Sequence, residues 1–106
     1  MVYNQLKQYV LSDAILQAVC DVGKVTFFTL CSTAKSNKLN ILRGVYCLVT
    51  RSYCIHPSRA ARMICRSRQN VINQARKYHD YVRTKDKTVM SVYEQVLSRL
   101  PNTKIV

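Results

Sequence analysis

Acidic residues are what this chain has least of. Asp and Glu number 5 against 17 Lys and Arg, a net charge of +12 over 106 residues. Five scattered carboxylates and two histidines cannot be assembled into an acid–base pair or a metal-ligand set. The chain is therefore expected to be no enzyme, with no catalytic residue, metal, cofactor or small-molecule substrate. Chain breakers are also scarce: two Gly and two Pro leave most of the sequence free to be helical. Long apolar runs are missing. None reaches the ~18 residues needed to span a membrane, and no apolar signal core follows Lys7. Cys-x-x-Cys spacing is absent too. The five cysteines, Cys20, Cys31, Cys47, Cys54 and Cys65, are an odd number without a second ligand pair beyond His56, so zinc is not expected. They are expected to be free thiols, with Cys20, Cys47 and Cys65 buried as small apolar residues. A reducing, cytoplasmic location follows, nucleoid-associated if the chain is bound to DNA.

What is present is base. Asp21 and Asp80 are consecutive acids, and eleven Lys and Arg lie between them. An ordinary surface mixes both signs. One sign over so long a stretch points to a polyanion, with nucleic acid first.

At this length, with 48% apolar residues, the chain is expected to fold as one all-α domain. Residues 1–12 are read as an N-terminal arm or helical extension. Ser12 is a candidate cap for a helix carrying Ile15, Leu16, Val19 and Val22, with Gly23 as its left-handed end. Thr26 opens a short segment with Phe27, Phe28 and Leu30, and residues 32–37 form a loop carrying Lys35. Leu39, Leu42, Val45, Tyr46, Val49 and Tyr53 suit a helix from about Lys38 to Ser52, and length favours it over a competing strand. Pro57 fits the first turn of a short helix through Ile64. Cys65 and Arg66 make a turn. Ser67 caps a longer helix whose buried stripe is Val71, Ile72, Ala75, Tyr78 and Val82. A last helix spans about 88–100, and Pro101 stops it. Tyrosines on these stripes, such as Tyr46, Tyr78 and Tyr93, are expected to pack rather than stack on bases. His56 and His79 are expected to be a loop and a surface residue.

Short helix, tight turn and capped longer helix over 57–83 outline a helix-turn-helix. Arg68, Gln69, Asn70 and Asn73 have the side chains that make paired hydrogen bonds to base edges, and Arg76 and Lys77 follow. The same polar face would also suit an ordinary solvated surface.

Residues 15 to about 83 resemble the C-terminal DNA-binding domain of the bacterial replication initiator DnaA, a Trp-repressor-like helix-turn-helix fold. Ile15 to Cys20 resembles the family's opening helix. Val25-Thr26, then Leu30 and Ser32, resembles its short second segment and the start of its basic loop. Leu42-Arg43, Val45 to Val49 and Arg51 resemble its long helix. Pro57 resembles the proline opening its helix-turn-helix. Arg66-Ser67-Arg68-Gln69-Asn70-Val71-Ile72 falls on its signature, and Arg76-Lys77 on the basic pair that follows. The resemblance implies double-stranded DNA as partner. It places Arg66, Arg68, Gln69, Asn70 and Asn73 in the major groove, and Lys35, Lys38, Arg43, Arg76 and Lys77 on the backbone or in the minor groove. Arg68, Gln69 and Asn70 stand where the family has His, Ser/Thr and Thr, so the usual initiator box is not the expected target. Replication initiation or transcription regulation is the implied process. The chain has no room for an ATPase domain, so another protein would supply any ATPase or assembly function. Two alternatives stand beside this reading: a protein-interaction module that kept the fold, and an RNA binder using the same basic face.

Overall fold

The computed structural model describes residues 2–100, with side chains from residue 10 onward. Pro101, expected to stop the last helix, and the side chains of Val2, Leu6 and Tyr9 lie outside the described residues. Six helices follow one another: α1 (Val2–Gly23), α2 (Phe27–Cys31), α3 (Asn37–Ser52), α4 (Pro57–Met63), α5 (Arg68–Arg83) and α6 (Lys87–Arg99). No strand occurs among the described residues, and no helix there is long and apolar enough to cross a membrane. The chain is an all-α, single-domain bundle.

α3 is its axis. Residues 42–50 are buried without interruption, so this helix has no solvent face through its middle. It packs against each of the other five helices. Such a helix is apolar on most sides because it is enclosed on all of them, with Arg43 and Thr50 as its buried polar residues. Its β-branched residues, which kept a strand in competition, pack as core: Val45 and Val49 are fully buried. Ser36 caps it by accepting from the Leu39 amide at 3.1 Å.

Two expectations at α1 are corrected. Ser12 is not a cap but a fully buried residue inside a continuous helix. Nothing in the preceding residues breaks the turn, and Ser12 shares the inward stripe of Ile15 and Val19. Gly23 is not left-handed. Lys24 takes that conformation, with φ 55°, and the Val25 amide reaches back to the Cys20 carbonyl. Gly23 is small because Leu42 of α3 packs where its Cβ would be.

The later caps follow the sequence closely. Thr26 caps α2, Ser67 caps α5, and Asp86, which the sequence reading passed over, caps α6. His56 is more than a loop residue: its Nδ1 accepts from the Ser58 amide at 3.1 Å, directly before Pro57 opens α4. Cys20 and Cys47 are buried, whereas Cys65 is exposed. Cys65 sits at φ 57° in the turn after α4, a position that turns its side chain off the core.

Candidate nucleic-acid interface

α4 and α5 are joined by a short turn, over the stretch where a helix-turn-helix is expected. Leaving α4, the chain turns through Cys65, and the Arg66 amide donates back to the Ala61 carbonyl at 2.9 Å. Ser67 then accepts from the Asn70 amide at 3.1 Å and starts α5. Tyr46 of α3 donates its hydroxyl to the Ala60 carbonyl at 2.9 Å and fixes α4. Val71, Ala75 and Tyr78 seat α5 on the core.

Their burial sets what α5 presents to solvent. At 3.6 residues per turn its outward surface divides into three strips. Asn70, Gln74 and Lys77 lie along one flank and Ile72 and Arg76 along the other. Gln69, Asn73 and Asp80 run along the ridge between them. The Gln69 amide nitrogen donates to the Asn73 oxygen at 3.0 Å, one turn apart. Asp80 pairs with Arg83 at 3.8 Å, both well exposed.

The first flank is one wall of an open cleft of about 990 Å³. Asn70, Gln74 and Lys77 face Lys35 of the loop, Asn37 and Asn40 of α3, and Asp86 and Thr88 at the start of α6. On the second flank, Arg76 and Arg51 border a smaller hollow of about 290 Å³ floored by Ile55, Val71 and Ala75.

Two arginines expected to meet DNA are turned inward. Arg43 is 8% exposed. Its Nε donates to the Leu30 carbonyl at 2.8 Å and its Nη1 to Ala34 at 2.9 Å. Its Nη2 donates to Ser32 at 3.0 Å and Thr29 at 3.3 Å. Arg66 gives Nη2 to the same Ser32 carbonyl at 2.8 Å, and Nη1 to Cys31, Ile64 and Cys65. The cause is the short α2. Its last carbonyls have no partner in the helix, and they carry the negative end of its dipole. Two guanidinium groups supply the donors. Burial first, and then the neighbouring Arg66 charge, lower the Arg43 pKa, although a guanidinium keeps its charge. Arg43 is thus a clamp on the basic loop, and Arg66 joins that loop to the turn between α4 and α5.

Of the ten expected site residues, Lys35, Arg43, Arg66, Asn70 and Lys77 line the one cleft. Arg68, Gln69 and Asn73 are exposed on α5 but do not line it, and Lys38 is exposed on the first turn of α3. Arg76 lies on the opposite flank. Gln74 and Arg51 were missed. Gln74 follows Asn70 by four residues and precedes Lys77 by three, so helical spacing alone puts it on their strip. Arg51 entered the sequence reading only for its likeness to the end of the long helix, because sequence spacing does not bring it beside Arg76 of α5.

No protein family, curated protein or solved structure matches the chain.

Elsewhere on the surface, Phe27 and Phe28 of α2 are 44% and 81% exposed, with ring centroids 5.9 Å apart. No group of three metal-ligating side chains occurs among the described residues.

Proposed function

We propose that this domain binds double-stranded DNA, with α5 entering the major groove. The observation that carries the reading is the arrangement of α5. An amide ridge, Gln69 and Asn73, stands between two basic flanks: Lys77 faces Lys35 across one cleft, and Arg76 stands beside Arg51 on the other side. A major groove is bordered by two phosphate backbones, and base edges lie between them. Cations belong on the flanks of a reading helix and amides on its crest. No acid falls between residues 22 and 79; Asp86 is the one carboxylate lining the first cleft, beside Lys35 and Lys77, and Asp80 on the ridge is paired with Arg83. The resemblance to the DnaA C-terminal domain points to the same use of these elements. Arg68 at the first turn of α5 and Lys38 at the first turn of α3 add exposed charge beside the two flanks.

The test is a duplex titration at two salt concentrations, beside a structured RNA. Four phosphate contacts, from Lys35, Lys77, Arg51 and Arg76, give a log–log salt slope of about −3.6, at roughly −0.9 per contact. Lys77→Ala flattens that slope by about one unit and weakens every sequence alike. Asn73→Ala changes which sequence is preferred, by about 1–3 kcal/mol at one position. Failure to bind duplex at ~50 mM salt, where electrostatic binding is strongest, overturns the reading. Tighter binding to the RNA selects the RNA alternative.

The exposed Phe27–Phe28 pair favours a second reading, a protein-interaction module. Exposed aromatics of this kind are typical anchors for a partner protein. Phe28→Ser leaves duplex binding unchanged if that pair serves a partner alone.

A further inference from the structure

Cys31 and Cys65 are far apart in sequence and together in space. Cys31 ends α2, and Cys65 forms the α4–α5 turn. The two side chains lie near enough to perturb one another, and Cys31 Sγ donates to the Met63 carbonyl, two residues before Cys65, at 3.3 Å. One nitrogen holds both backbones: Arg66 Nη1 donates to the Cys31 carbonyl at 3.1 Å and to the Cys65 carbonyl at 3.3 Å. The two sulfurs differ in access. Cys65 is exposed and borders the basic cleft, whereas Cys31 is half-buried.

We propose that Cys31 and Cys65 form a redox-active dithiol, which closes to an intramolecular disulfide under a two-electron oxidant such as hydrogen peroxide. The exposed Cys65 sulfur attacks one peroxide oxygen. The O–O bond breaks, an S–OH group forms on Cys65, and the other oxygen leaves as water with the thiol proton. The Cys31 sulfur then attacks Cys65 Sγ. The S–S bond forms, the S–OH bond breaks, and hydroxide leaves as water with the Cys31 proton. Each sulfur gives up one electron, and peroxide becomes two waters. Burial, and then the neighbouring Cys65, push the Cys31 pKa to about 11, which leaves the first attack on peroxide to the exposed Cys65. An exposed cysteine beside a resolving partner is the usual form of a reversible thiol sensor. The product fastens the end of α2 to the turn between α4 and α5 at the joint that Arg66 already bridges.

The test uses the full chain. Reduced protein is treated with stoichiometric hydrogen peroxide, remaining thiols are alkylated under denaturing conditions, and the digest is mapped by mass spectrometry. The expected product is a Cys31–Cys65 linked peptide that dithiothreitol reverses, with three of the five thiols still alkylated. Cys54→Ser keeps the link. Cys65→Ser abolishes it, and this exposed position leaves the fold intact by circular dichroism. The proposal is overturned if Cys65 proceeds to sulfinic acid, or joins Cys54 or a second molecule, while Cys31 stays alkylatable.

Discussion

Replacing Arg43 by Ala is expected to destabilise the fold while leaving the salt dependence of duplex binding almost untouched. The Leu30 and Ala34 carbonyls lose their donors together, while Ser32 keeps Arg66 Nη2 and Thr29 keeps the Ser32 hydroxyl. Buried acceptors left without partners cost about 1–3 kcal/mol each when nothing replaces the donor. Water reaches part of this loop, so a total of about 2–4 kcal/mol is expected, measured as a lower urea midpoint. Arg43→Lys does not restore the loss, because an ammonium lacks the planar fork that reaches carbonyls on several sides. A flatter salt slope for Arg43→Ala, with stability unchanged, would return this residue to the surface role that the sequence suggested. That role was misread for a physical reason. A sequence shows that an arginine is present but not which carbonyls lack donors, and the five-residue α2 creates those acceptors. The amides and bases of α5 were legible because their neighbours Val71, Ala75 and Tyr78 set the helix phase unaided.

Between elements, the most extensive packing is α3 against α5. A Cβ at Gly44 would fall within the ring of Tyr78, on Cδ1, Cε1 and Cζ. Gly44→Ala gains about 1 kcal/mol of helix propensity and meets an overpacking cost of about 1–3 kcal/mol. A net loss of stability is expected, seen as a lower melting temperature. Tyr78 is held by its own core seat and by a hydroxyl donated to the Asn40 carbonyl at 3.3 Å, so it cannot swing away freely. In the Tyr78→Ala background the same Gly44→Ala change should cost far less, because the clash is gone. The helices themselves were read well wherever a cap and a stripe agreed, as at Ser67 for α5. The reading failed at Ser12 because a capping residue is informative only where a helix has reason to begin. Uninterrupted helix formers run past it.

For the molecule as a whole, alkali acts on the core through two buried groups. Burial pushes the Cys47 thiol to about 12 and lifts the Tyr46 phenol further above its ordinary value of 10.0. Both groups are neutral in the fold. In the unfolded chain they release protons near their ordinary values, which favours unfolding as pH rises. Their contribution is complete below about pH 9 and is lost on the way to about pH 12. Each group adds a slope of at most about 1.4 kcal/mol per pH unit in its own window. Urea midpoints measured through this range should fall, and Cys47→Ala should flatten the first part of the fall. A midpoint constant to pH 12 would mean that these groups reach water without unfolding.

Four joints of the chain turn through left-handed residues that are not glycine: Lys24, Cys54, Cys65 and Lys85. Both glycines, meanwhile, sit beneath side chains, Gly23 under Leu42 and Gly44 under Tyr78. The ordinary division of labour is inverted. Over generations of sequence drift, the joints are where Gly, Asn or Asp enter without penalty, because a left-handed backbone welcomes them. The two glycines are the positions that cannot wander. In a lineage of such chains, invariant glycine would mark where helices touch, and, Cys65 aside, variable residues would mark where the chain turns.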